Sequence, residues 1–135
     1  MIAIIDYGAG NIFSVKNALD YLGVENKLTA DRNEICAADE IILPGVGAFP
    51  WAMKMLRDSG LVDTIREEAK KKPFLGICLG MQLIFDKGYE FEETDGLRLI
   101  GGKVEKIDRK DMIIPHMGWN ELEINRDCPI LKGLP

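Results

Sequence analysis

The stretch FLGICLGMQ, residues 74–82, decides the fold. It starts after Pro73 as a short apolar run, which predicts a buried parallel strand, and it continues from Leu79 as an apolar helix through Phe85. Cys78 falls at the junction, with one glycine two residues before it and another two residues after it. This spacing predicts a sharp strand-to-helix turn that presents the cysteine above the sheet.

Cys78 has two interpretations, and the spacing alone leaves both open. A helix N-terminus favours thiolate over thiol, and free N–H groups beside the turn can hold a developing oxyanion. These features suit a nucleophile. The alternative is a buried, inert cysteine between two packing glycines, which is common in folded proteins. Under the first interpretation Gly76 and Gly80 must be small, because the backbone packs tightly around such a turn.

The composition predicts one globular domain spanning residues 1–135, with 47% hydrophobic and 29% charged residues. A net charge of −5 argues against a protein held mainly by nucleic-acid phosphates. No apolar run reaches membrane-spanning length and no signal-peptide pattern opens the chain, so we expect a cytoplasmic protein without a membrane partner. Three widely spaced cysteines and one histidine indicate no disulfide framework, metal site or cofactor.

Apolar runs alternate with helical patterns in the first part of the chain. Strands are predicted at 2–5, 27–29, 41–43 and 74–78, a loop or short helix at 31–40, and helices at 51–56 and from Leu61 onward. Asn11 is a natural N-cap for another helix, whose apolar face holds Ile12, Val15, Ala18, Leu19 and Leu22. We expect this alternation to give an α/β fold, a three-layer, mostly parallel sheet flanked by helices.

The pattern changes after Gly88. Residues 89–96 are predicted to form an acidic loop, residues 97–107 a turn plus a strand, and residues 122–124 a strand with one solvent-facing side. We expect these later strands to be more antiparallel. Before this point, the helix from Leu61 offers two favourable i,i+4 ion pairs, Glu67–Lys71 and Glu68–Lys72.

Two glycine-rich turns follow predicted strands. Gly8-Ala9-Gly10 lacks the third glycine of a dinucleotide-binding fingerprint, since Phe13 stands there, and we reject that function. The second turn, residues 44–47, is predicted to end the strand before it. There a flexible Gly-Val-Gly backbone can turn one N–H toward an oxyanion, supplementing the N–H of Leu79. The alternative is a plain strand-to-helix turn.

His116 and Trp119 share a predicted loop. His116 is the only histidine and suggests a Cys–His dyad, but nothing nearby is expected to orient its imidazole. A structural or partner-contact role is therefore preferred. Trp119 is either a residue of a small satellite core or an interface anchor, a common role of loop tryptophans.

Four motifs together resemble one family, the glutaminase subunits of imidazole glycerol phosphate synthase, which are class I (triad) glutamine amidotransferases. They are DYGAGN at 6–11, PGVG at 44–47, GICLGMQ at 76–82 and PHMGWN at 115–120. The resemblance implies a class I amidotransferase-like, flavodoxin-like fold and hydrolysis of L-glutamine to glutamate and ammonia. Cys78 matches the nucleophile, Gly47 and Gln82 match substrate-holding positions, and Val46, Gly47 and Leu79 match the oxyanion region.

The resemblance also implies a partner. Ammonia would pass to a (β/α)8-barrel cyclase subunit in a heterodimer that makes imidazole glycerol phosphate for histidine biosynthesis. Asn11, Met117, Trp119 and Asn120 match positions that face this subunit. The family's catalytic His and Glu lie in a Gln-Phe-His-Pro-Glu-like motif, which does not occur in these 135 residues. We therefore expect a chain that stops at Pro135, before the family's domain does, and that is inactive alone.

Two alternatives remain. The chain could be a non-catalytic docking module that keeps the turn at Cys78 but has lost its triad. It could also be another amidotransferase of the same superfamily, although the motif at 115–120 disfavours this.

Overall fold

The computed structural model describes residues 1–111 and 113–133, so the expectation about the chain end at Pro135 lies outside the described residues. Elements follow one another along the chain as β1 (Ile2–Ile5), α1 (Ile12–Tyr21), β2 (Asn26–Thr29), α2 (Arg32–Ala37), β3 (Glu40–Gly45), α3 (Phe49–Asp58), α4 (Val62–Glu68), β4 (Phe74–Cys78), α5 (Leu79–Leu83), β5 (Lys87–Gly88), β6 (Thr94–Asp95), β7 (Lys103–Val104) and a 3₁₀ turn (Pro129–Leu131).

The main sheet has four parallel strands in the order β2-β1-β3-β4. Ile42 of β3 pairs with Ile4 on one side and with Leu75 on the other. A smaller sheet has the order β6-β5-β7, with β6 antiparallel to β5 and β7 parallel to it. The predicted α/β fold with a mostly parallel sheet is confirmed, and the later strands are mixed rather than simply antiparallel.

The core lies between the main sheet and the helices α2, α3 and α4. Its fully buried side chains include Ile35, Phe49, Met53, Leu56 and Ile65. Helix α1 lies on the other face of the main sheet from α2, α3 and α4. This follows because crossovers between parallel strands are right-handed, and β2 and β3 lie on opposite sides of β1. No residue of α1 is buried. The apolar stripe predicted for α1 is therefore only partly covered.

A buried ion pair ties α4 to the end of α2. Lys72 Nζ lies 2.8 Å from Glu68 Oε2 and donates to the carbonyl oxygen of Cys36 at 2.8 Å. The predicted pair Glu68–Lys72 is confirmed. Lys71 also pairs with Glu68, at 2.8 Å, rather than with its predicted partner Glu67. The two ammonium groups, that of Lys71 first, lower the pKa of Glu68 to about 2.

Several element predictions are wrong, each for a tertiary reason. β3 does not break at Pro44 but runs on to Gly45, because β4 continues to pair with it. The acidic loop at 89–96 contains β6, which is paired to β5. Residues 122–124 form no strand, since no described strand lies beside them.

Candidate active site

Cys78 lies at a strained turn between β4 and α5. Its backbone has φ 55° and ψ −120°, a left-handed conformation that costs a non-glycine residue about 1–3 kcal/mol. The side chain is exposed. Strain of this kind persists only where the surrounding structure enforces it, and it clusters at functional sites. The alternative of a buried cysteine is therefore wrong, because the side chain of Cys78 is exposed.

The small residues around this turn are required by close packing. A β-carbon on Gly76 would lie 2.6 Å from the Cα atom of Met81. A β-carbon on Gly80 would overlap the carbonyl oxygen of Leu43, in β3. The prediction that both glycines beside Cys78 must be small is confirmed.

The end of β3 is held in place by a buried phenol. Tyr7 Oη donates a hydrogen bond to the carbonyl oxygen of Pro44 at 3.0 Å. Burial raises the pKa of Tyr7 to about 12, so the phenol keeps its proton near neutral pH. Gly45 pairs with Cys78 in the strand register, and Gly47, with φ 99°, turns the chain toward α3. This brings the glycine turn beside the cysteine.

A cavity of about 630 Å³ opens at this point. Its lining includes every residue predicted to act on the substrate, namely Val46, Gly47, Cys78, Leu79 and Gln82. The remaining lining residues are Tyr89, Glu90, Phe91, Val104, Glu105 and Lys106. Residues from the carboxyl ends of β3 and β4 thus share one cavity with residues from the smaller sheet.

Sequence reasoning missed the second wall of this cavity. Glu90 Oε2 accepts a hydrogen bond from the backbone N–H of Phe49 at 2.8 Å, which ties the acidic loop to the start of α3. Strands of two residues, such as β5 and β7, are too short to show a hydrophobic period, so their sequence does not predict this wall. The one available signal is the acidic run after Gly88.

Neither of the other two cysteines lines the cavity. Cys36 lies in α2 and is exposed, and Cys128 precedes the 3₁₀ turn and is partly buried. Within residues 1–111 and 113–133, no group of three His, Cys, Asp or Glu side chains is placed to hold a metal ion. No described helix is long and apolar enough to cross a bilayer.

The four residues predicted to face a partner lie outside this cavity. Asn11 caps α1, since its side-chain oxygen accepts from the N–H of Ser14 at 3.3 Å. Met117 is 84% exposed and Trp119 is 103% exposed. The satellite-core interpretation of Trp119 is therefore wrong, because a core residue cannot be fully solvated.

The expectation that nothing orients His116 is also wrong. The side-chain nitrogen of Asn120 lies 2.7 Å from His116 Nε2. Because these residues are four apart in one loop, the contact shapes the loop itself. His116 is not among the residues that line the Cys78 cavity.

Comparison with known families gives the class of protein to which this fold and site belong. Residues 3–135 match the model of the family described as "Glutamine amidotransferase class-I", and the chain belongs to that family. A solved structure titled "Crystal structure of glutamine amidotransferase" shares the fold, with a TM-score of 0.59 and 23% identity over 72% of this chain and 52% of that chain.

Similar curated relatives are named imidazole glycerol phosphate synthase subunit HisH. The one from Listeria monocytogenes serotype 4a (strain HCC23) is 51% identical over 99% of this chain and 65% of its own length. The one from Caldanaerobacter subterraneus subsp. tengcongensis is 50% identical over 99% of this chain and 66% of its own length. The chain thus spans about two thirds of the length of these relatives.

Proposed function

We propose that this chain provides the glutaminase site of an imidazole glycerol phosphate synthase, with Cys78 as its nucleophile. The observation that carries the proposal is the cavity in which the strained Cys78 meets the glycine turn at 46–47 and Gln82. On this proposal the turn at Cys78 is a nucleophile elbow. The family membership and the names of the HisH relatives support the same activity.

The proposed reaction uses the geometry of the turn. The Cys78 sulfur attacks the side-chain amide carbon of glutamine, and the amide oxygen becomes an oxyanion. Backbone N–H groups in the oxyanion region, formed by Val46, Gly47 and Leu79, stabilise this charge. Ammonia leaves when the carbon–nitrogen bond breaks, with a proton delivered to the nitrogen. Water then cleaves the thioester, which releases glutamate and restores the thiol.

Gly47 and Gln82 are proposed to hold the substrate. Gln82 is four residues after Cys78, one turn along α5, so both side chains lie on one face of the turn and helix. The primary amide of Gln82 can donate and accept hydrogen bonds, as the amide of the substrate can. Gly47 brings backbone N–H and C=O groups to the cavity without a side chain in the way.

A synthase partner is proposed to receive the ammonia. This partner is a (β/α)8-barrel cyclase subunit, which would form a heterodimer with the chain and build imidazole glycerol phosphate for histidine biosynthesis in the cytoplasm. Asn11, Met117, Trp119 and Asn120 are proposed to face it. The exposure of Met117 and Trp119 supports an interface, since exposed aromatic and Met side chains anchor protein contacts.

A docking module without catalysis is the second candidate, and one observation favours it. Thioester formation needs a group that carries protons to and from the reacting atoms. No imidazole is found among the eleven residues that line the cavity. The glutaminase proposal therefore needs a proton carrier that reaches Cys78 from outside this lining.

Affinity labelling tests the glutaminase proposal. A glutamine-mimicking diazo-ketone should label Cys78 much faster than Cys36 or Cys128, because only Cys78 lies in a cavity with Gly47 and Gln82. The label is located by peptide mapping, and Cys78→Ser should abolish it. A label found mainly on Cys36 or Cys128 would contradict the glutaminase proposal and leave the docking module.

A further inference from the structure

The charged side chains that line the Cys78 cavity differ in whether another residue already binds them. Glu90 accepts the hydrogen bond from Phe49. Glu105 is paired with Lys103, whose Nζ lies 2.8 Å from Glu105 Oε1. Lys106 also lines the cavity, and it makes no ion pair with any residue in the described part of the chain. Among the described residues that line the cavity, Lys106 is the one with a positively charged side chain.

The smaller sheet explains how Lys106 reaches this position. β7 pairs with β5, which registers Val104 opposite Gly88 and fixes the chain at the cavity wall. The chain leaves β7 at Val104 and runs along this wall, so Glu105 and Lys106 line the cavity as well. Lys106 therefore owes its place to the pairing of β7 with β5, two residues before it.

We propose that Lys106 binds the α-carboxylate of the amino-acid substrate, an inference that rests on the glutaminase proposal above. Glutamine carries its reactive amide at one end and its carboxylate at the other. While Cys78 takes the amide, an ammonium elsewhere in the same cavity forms a charge-assisted hydrogen bond with the carboxylate. Lys106 is therefore a specificity residue. It selects free glutamine over glutamine whose carboxyl group is blocked as an amide or buried in a peptide bond.

The experiment compares two alkylating probes that differ only at the α-carboxyl group. One is the diazo-ketone analogue of glutamine with a free carboxylate, and the other is its α-carboxamide. Each probe reacts when the Cys78 sulfur bonds to the diazo carbon, N₂ leaves, and the thiol proton ends on that carbon. The measured quantity is the second-order rate constant of Cys78 labelling, followed by mass spectrometry. Iodoacetamide reports the reactivity of the thiol itself.

Three variants give the comparison its controls. Lys106→Met removes the charge and keeps the length of the side chain, whereas Lys106→Arg keeps the charge. Lys110→Met removes an exposed lysine from the same segment that does not line the cavity. Because Lys106 is itself exposed, we expect all three variants to fold as the parent does.

In the parent, the carboxylate probe should label Cys78 about fivefold to tenfold faster than the carboxamide probe. This size is expected for one charge-assisted contact at an exposed site. Lys106→Met should abolish this preference, and Lys106→Arg and Lys110→Met should retain it, with equal iodoacetamide rates throughout. A preference that survives in Lys106→Met, or a parent that labels Cys78 selectively but with no preference, overturns the role of Lys106 alone. If neither probe labels Cys78 faster than Cys36 and Cys128, the glutaminase proposal fails as well.

Discussion

Gly45 and Gly80 lie where the start of α5 packs against β3, and neither position tolerates a side chain. A β-carbon on Gly45 would lie 2.7 Å from the amide nitrogen of Gly80, and a β-carbon on Gly80 would overlap the carbonyl oxygen of Leu43. The start of α5 is thereby pressed against β3. This contact holds Cys78 next to the glycine turn at 46–47, where the proposed chemistry takes place.

The first prediction tests that contact. Gly80→Ala should lower the free energy of unfolding by about 2–3 kcal/mol, because α5 must move away from β3. A loss of stability is informative here, because replacing glycine by alanine inside a helix usually raises the free energy of unfolding. Urea unfolding followed by circular dichroism measures the change. Gly101→Ala is the matched control, because a β-carbon there meets nothing closer than 3.9 Å, and it should be nearly neutral.

The second prediction concerns the strain at Cys78. Cys78→Gly should be more stable than Cys78→Ala by about 1 kcal/mol, because glycine relieves the left-handed backbone at the cost of some chain entropy. Chemical denaturation of the two variants measures the difference. The same pair at Cys36, inside α2, should show the opposite order, with alanine more stable by about 1 kcal/mol. Equal stabilities at position 78 would mean that the turn carries no strain.

The turn at Cys78 is predictable from sequence because its signal is local. Strand, cysteine, glycines and helix fall within nine consecutive residues, and the same holds for Asn11 as the cap of α1. The wall formed by Glu90 and Lys106 is not predictable in this way. The contact between Glu90 and Phe49 joins positions 41 residues apart, and β5 and β7 are too short to show a period. The apolar–polar alternation at 122–124 predicts a strand that does not form, because no strand within residues 1–111 and 113–133 lies beside it.

The third prediction follows from the ion pair of Glu68. Its side chain is paired with Lys71 and Lys72, and its pKa is lowered from 4.5 to about 2 in the folded protein. The folded state therefore holds its proton less tightly than the unfolded state. Stability from this group is complete above pH 4.5 and is lost as the pH falls toward 2.

Melting temperatures measured across that pH range provide the test. The fall in melting temperature between pH 4.5 and pH 2 should be smaller in Glu68→Gln than in the parent, because the variant has no carboxylate to protonate there. Glu67→Gln is the control, since Glu67 makes no ion pair within the described residues, and it should follow the parent. Parallel curves for Glu68→Gln and the parent would contradict the prediction.

The fourth prediction tests the proposed interface. Trp119→Ala should weaken association with the barrel cyclase subunit by at least about 1–2 kcal/mol, as expected for an aromatic anchor. It should leave the unfolding of the chain unchanged, because the side chain is fully exposed. Titration calorimetry measures the affinity. Tyr21→Ala removes a comparably exposed aromatic at the far end of α1 from Asn11 and should not affect binding.

The last prediction is that His116 is not the catalytic base. His116 does not line the Cys78 cavity, and its Nε2 atom lies 2.7 Å from the side-chain nitrogen of Asn120. This contact shapes the loop that carries Trp119. His116→Ala and Asn120→Ala remove the same contact, so we expect both to weaken partner binding to a similar extent. Neither should change the rate at which iodoacetamide labels Cys78.

A glutamate-release assay with saturating barrel subunit completes the test of His116. The 135-residue chain and its His116→Ala variant should release glutamate at the same rate, because Asn120 holds the imidazole in the loop at 115–120, away from the cavity lining. Saturation removes any difference in partner affinity from the comparison, and Cys78→Ser gives the background rate. Turnover that is present in the parent and disappears in His116→Ala would make His116 the base. The loop at 115–120 would then have to close over the cavity during the reaction.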